Sequence, residues 1–98
     1  HADIVDLYLK ASNNLGVTQY RLSKQTGNSG LNAEALANLS ASLRAWDALT
    51  RNQETMIRLP GSNLAERNIS YMTHPLAEYE PAIYTDIPRV LKNESSKE

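Results

Sequence analysis

The chain has 98 residues, 41% of them hydrophobic, and its ten Lys and Arg stand against eleven Asp and Glu for a net charge of −1. That length supports one small domain with a single core and excludes two. The composition excludes a disordered chain, the near-neutral charge excludes a polybasic coat for nucleic acid or membrane, and the absence of cysteine excludes disulfides, thiolate metal sites and a cysteine nucleophile.

In chain order, Ile4, Leu7, Tyr8, Ala11 and Leu15 recur at helical spacing and predict one buried face on a first helix, Asp3 to Asn14. Asp3 and Asp6 suit the positive end of its dipole. Asn13, Asn14 and Gly16 mark its end. Thr18 then reads as the N-cap of a second helix, Gln19 to Thr26, stopped by Gly27. Gly27-Asn28-Ser29-Gly30 is a turn by composition. Asn32 caps a short third helix, Ala33 to Leu39, with Leu36 and Leu39 on one face. Ser40 and Ser42 offer a stop and a fresh cap before a fourth helix, Leu43 to Arg51. Its Leu43, Trp46 and Leu49 predict a buried face anchored by Trp46.

The second half carries weaker signals. Residues 54–59 read either as a short strand or as more helix, and Pro60-Gly61 is a turn. Asn63 with Glu66 three residues on resembles a capping box. It opens a helix whose Ala65, Ile69, Met72 and Leu76 share a face. Pro75, Pro81 and Pro88 cut the remaining chain into short pieces, and the polar tail 93–98 is expected to fray. The expected fold is mainly α, a bundle of four to five helices, with 54–59 the one candidate β element. Residues 1–51 form its core. Residues 52–98 pack on that core or mediate dimerisation, with Tyr79, Ile83, Tyr84 and Ile87 as packing or partner residues.

One stretch carries a functional pattern. Gln19 opens a helix, Leu22 stands three positions on, then small Ser23, then Gly27 at the turn, and Leu31, Leu36 and Leu39 come after it. This resembles a helix-turn-helix of the Cro/phage-repressor type, with Asn28-Ser29-Gly30 inserted after the turn glycine. Ser42-Leu43-Arg44-Ala45-Trp46-Asp47-Ala48-Leu49 is similar to the family's next helix, so the resemblance covers about half the chain, residues 3–51. It implies a sequence-specific repressor on double-stranded DNA. Asn32, Ala33, Glu34 and Asn38 would face major-groove base edges. Gln19, Arg21, Lys24 and Arg44 would contact phosphates. Residues 1–51 hold only five basic groups against four acidic ones, so a homodimer on two half-sites is implied, because a single copy would release few counterions.

A protein-interaction module of the antitoxin or anti-repressor kind, binding its partner partly through the C-terminal half, is the alternative. The near-neutral charge and Glu34 favour it. For Asn32 a plain cap, for Glu34 a solvated charge, and for Arg21 and Lys24 a solvated face are the competing readings. His74 lies near Tyr71, Glu78, Tyr79 and Glu80, yet it has no spaced His or carboxylate partner set of the kind that acid–base or metal chemistry uses. No enzyme, metal or cofactor is expected.

No run of eighteen apolar residues occurs, so no membrane span is expected. His1 is an unusual first residue, and His1-Ala2-Asp3-Ile4 lacks the basic and apolar regions of a secretory signal. The expectation is therefore a cytoplasmic chain, with the Asn-x-Ser triplets at Asn38, Asn68 and Asn93 as chance matches.

Overall fold

A computed structural model describes the backbone of residues 2–51, 63–74 and 80–85, with side chains from residue 4 onward. It is mainly helical: α1 spans Ala2–Thr26, α2 Ser29–Arg51 and α3 Leu64–Thr73, and no strand occurs among the described residues. The expected 54–59 element, Pro75, Leu76, Tyr79, Ile87, Pro88 and the tail 93–98 lie outside the described residues. No helix of the described residues is long and apolar enough to cross a membrane.

The four short helices expected over residues 3–51 are two long ones. Helix α1 runs unbroken through Asn13, Asn14 and Gly16, and Thr18 is an exposed position inside it rather than a cap. Gly16 is not a stop but the point where the helices touch. A β-carbon added there would lie 2.8 Å from Leu39 Cγ and 2.9 Å from the Ala35 carbonyl oxygen. Only a residue without a side chain lets two backbones come that close. Ser42 likewise opens no new helix. It is buried within α2, and its Oγ donates to the Leu9 carbonyl at 2.6 Å.

Gly27 ends α1 as expected. Its φ is +74°, the left-handed conformation of a helix C-terminus, and its N–H donates to the Ser23 carbonyl at 2.8 Å. Asn28, not Asn32, starts the next helix. Its Oδ1 accepts from the Gly30 N–H at 2.9 Å, and its carbonyl accepts from Leu31 N–H at 3.2 Å. Only Gly27 and Asn28 separate α1 from α2, and Leu9 meets Ser42 while Gly16 meets Leu39. The two helices therefore form an antiparallel hairpin. The segments that would be the crossed pair of a helix-turn-helix lie side by side inside it. The insertion allowed for in that pattern is here the connecting loop and first turn of α2.

Asn63 caps α3 as its sequence suggests, accepting from the Glu66 N–H at 3.2 Å. Helix α3 packs on the hairpin, mainly against α2. Val17, Leu39 and Ala65 form a buried cluster to which Leu43, Ile69 and Met72 add. Tyr20 and Tyr71 meet edge to face, centroids 6.1 Å apart.

The buried face of α1 is not the expected one. Leu9, Ser12, Asn13, Gly16, Val17 and Tyr20 point inward, while Ile4, Tyr8, Ala11 and Leu15 face outward. The inner face is rich in small and amide residues because α2 and residues 80–85 press against it. Trp46, expected as a buried anchor, is half-buried, and α2 turns Ala35, Leu39, Ser42 and Thr50 inward instead.

Candidate functional site: an asparagine-lined groove

Three asparagines inside helices make a connected polar cluster. Asparagine is a poor interior helix residue, since its amide competes for backbone hydrogen bonds. Asn13, Asn14 and Asn68 escape that conflict by turning their amides sideways, toward residues 80–85, which lie along α1 without helix or strand structure of their own.

Each contact is to main chain. Asn14 Nδ2 donates to the Tyr84 carbonyl at 2.8 Å, and its Oδ1 accepts from the Tyr84 N–H at 2.8 Å. Asn68 repeats the arrangement one step away: Nδ2 donates to the Ala82 carbonyl and Oδ1 accepts from the Ala82 N–H, both at 2.9 Å. Asn13 Nδ2 adds a second donor to the Ala82 carbonyl at 3.1 Å. Residues 82 and 84 are alternate positions, whose N–H and C=O groups share one side of an extended chain. The amides thus stand in for a neighbouring β-strand.

The cluster is tied together behind this edge. Asn68 Nδ2 donates to Asn13 Oδ1 at 2.9 Å, and Asn13 Nδ2 to Asn14 Oδ1 at 3.2 Å. Asn13 and Asn68 are both fully buried. At the ends, Arg21 donates to the Pro81 carbonyl at 3.0 Å, and the Leu64 N–H donates to the Tyr84 hydroxyl at 3.3 Å. Lys10 Nζ sits 5.9 Å from the centre of the Tyr84 ring.

The candidate DNA-contacting residues are distributed differently. Gln19 Nε2 donates to Glu34 Oε1 at 3.1 Å, and Asn38 Nδ2 donates to Gln19 Oε1 at 2.7 Å. These three therefore link α1 to α2 rather than presenting separate contacts. Arg21 is engaged by Pro81, and Lys24 Nζ lies 5.5 Å from the Tyr20 ring centre. Asn32 is half-buried and lines an open cleft of about 280 Å³ with Tyr20, Ser23, Lys24, Gly27 and Ser29. Ala33 and Arg44 are exposed, Arg44 several turns of α2 further on. The structure brings Gln19, Glu34 and Asn38 together, and leaves Arg44 apart from Arg21 and Lys24.

Sequence reasoning takes Asn13 and Asn14 as a helix end and Asn68 only as part of a chance Asn-x-Ser triplet. The available signal is two adjacent asparagines within an otherwise regular helical repeat. Comparison with protein-family models, curated proteins and solved structures finds no match to this chain.

Proposed function

We propose that the chain is a protein-interaction module whose groove between α1 and α3 grips an extended polypeptide by its main chain, with residues 80–85 as the resident occupant. The observation that carries this reading is the pair of two-point contacts, Asn14 to Tyr84 and Asn68 to Ala82. Main-chain contacts give affinity without demanding particular side chains, as in strand-addition complexes. Within the occupant only Pro81 is buried; Glu80, Ile83 and Thr85 are exposed, so the strap lies in an open groove.

The test uses a labelled peptide with the sequence of residues 80–85 and fluorescence anisotropy. It should bind the intact chain saturably, and bind more tightly to an Ala82→Pro variant, whose strap has lost the N–H that Asn68 accepts. Asn14→Ala should weaken binding about tenfold, the equivalent of two modest hydrogen bonds. No binding to either the intact or the Ala82→Pro chain overturns the proposal. A duplex-DNA arm at low salt runs beside it. Salt-sensitive duplex binding without peptide binding would favour the repressor reading, which rests on the Gln19-to-Leu39 residue pattern.

A further inference from the structure

The strap at residues 80–85 is gripped mostly through its main chain, yet two of its residues add contacts that depend on their side chains. Pro81 is buried, Ala82 and Tyr84 are half-buried, and Ile83 and Thr85 are exposed. A buried proline brings no N–H, so the groove need supply no acceptor at that position, and its ring restricts the chain before it binds. Arg21 donates to the Pro81 carbonyl at 3.0 Å, which holds this end of the strap on α1. Three positions on, the Tyr84 hydroxyl accepts from the Leu64 N–H at 3.3 Å. Leu64 is the first residue of α3, so this N–H is one of the donors that a helix leaves without an acceptor of its own. The centre of the Tyr84 ring lies 5.9 Å from Lys10 Nζ, which is also paired with Asp6 at 2.9 Å.

Resting on the groove reading above, we infer that the partner segment is an extended polypeptide of the class Pro-x-x-Tyr, with its proline held beside Arg21 and its phenol hydroxyl seated on the first turn of α3. The main-chain contacts at Ala82 and Tyr84 serve any extended chain and set its register. The register then leaves two positions to discriminate. Phenylalanine at the fourth position keeps the ring but offers the Leu64 N–H no acceptor. A residue other than proline at the first position brings an N–H into a buried place. Ile83, 42% exposed between two held positions, is the tolerant one. Spacing matters as well, because side chains of an extended chain alternate between its faces. Moving the tyrosine by one position turns its ring to the opposite face.

Fluorescence anisotropy reads the preference, with the Ala82→Pro chain as receptor and peptides based on residues 80–85. Relative to the parent peptide, Tyr84→Phe should bind about three- to tenfold more weakly, the equivalent of one hydrogen bond. Pro81→Ala should lose about threefold or more, since the unbound peptide becomes freer. Ile83→Thr should stay within about twofold, as an exposed substitution. The role of the hydroxyl is then tested from the protein side. Leu64→Pro removes the donor and keeps the helix, because proline suits the first helical position. Asn63, with φ −100° and ψ 129°, already has the extended backbone that a following proline requires. Added to the receptor, Leu64→Pro should bring the parent and Tyr84→Phe peptides to equal affinity, with helical circular dichroism unchanged. Any packing lost with the Leu64 side chain affects both peptides alike, so their ratio is the readout. The peptide comparison on the Ala82→Pro receptor decides the motif whether or not this second variant folds.

Equal binding of the parent, Tyr84→Phe and Pro81→Ala peptides overturns the Pro-x-x-Tyr inference and leaves the groove reading standing. A tyrosine preference that survives Leu64→Pro in a helical chain overturns the seating of the hydroxyl on α3. A parent peptide that does not bind overturns the groove reading and this inference together.

Discussion

Asn68 on α3 and Asn13 on α1 share a fully buried hydrogen bond of 2.9 Å, and both donate to the Ala82 carbonyl. Three parts of the chain, distant in sequence, therefore meet at one pair of amides. Buried amides are costly unless paired, so each of these parts holds the others in place.

That pairing predicts the behaviour of two substitutions at one site. Asn68→Leu removes the partners of the Ala82 N–H and of Asn13 Oδ1 together, and should cost about 3 kcal/mol in urea unfolding, one to two orphaned polar groups' worth. Asn68→Asp should depend on pH. Its carboxylate would face the Ala82 carbonyl and Asn13 Oδ1, both acceptors, whereas the protonated acid can donate to one of them. The Asp variant should therefore be more stable near about pH 4 than near about pH 7. Equal stability at both would mean that the site admits water.

Gly16→Ala sets two effects against each other. Replacing an interior helical glycine by alanine gains about 1 kcal/mol of propensity. Here the new methyl would meet Leu39 Cγ at 2.8 Å and the Ala35 carbonyl oxygen at 2.9 Å. Backbone cannot move aside cheaply, and overpacking costs about 1–3 kcal/mol. The net change should be destabilising, seen as a lowered thermal midpoint; a raised midpoint would show that the hairpin opens at little cost.

Gly27→Ala should also destabilise, but for a different reason. The site has open space around it, so nothing clashes; the cost lies in the +74° φ and should be about 1 kcal/mol. Gly27→Asn should cost less, since asparagine tolerates this conformation. Chemical denaturation of both variants distinguishes this conformational origin from a packing one, for which the larger Asn would be worse.

Asn63 holds the start of α3 through Oδ1 while its buried Nδ2 has no hydrogen-bond partner among the described residues. Asn63→Ala should cost about 1 kcal/mol for the lost cap. Asn63→Ser keeps an accepting oxygen and exchanges the orphan amide donors for a single hydroxyl that can rotate toward an acceptor, so it should lie close to wild type. Urea midpoints in which Ser is as damaging as Ala would assign the residue's role to its volume instead.

Local signals are legible wherever the chain obeys local rules. Gly27 can be read as a stop because a left-handed residue is needed there whatever surrounds it. Asn63 with Glu66 can be read as a helix start because a cap is completed within one turn. Ala65, Ile69 and Met72 share a face, and all three pack on the core. The reading fails at Asn13, Asn14, Gly16 and Ser42. These look like helix breakers, and each is kept in a helix by a contact from another element.

By itself, the sequence determined a small, mainly helical chain with a turn at Gly27 and a capped helix from residue 64, since propensity, capping and turn chemistry act within a few residues. Only the tertiary structure decided that four short helices are two long ones, that α1 buries the face of Leu9, Asn13, Gly16, Val17 and Tyr20, and that three asparagines grip residues 80–85. The reason is range. The Leu39 side chain that presses on Gly16, and the main chain at Ala82 and Tyr84 that engages the asparagines, are 14 to 70 positions away, beyond what periodicity along the chain can register.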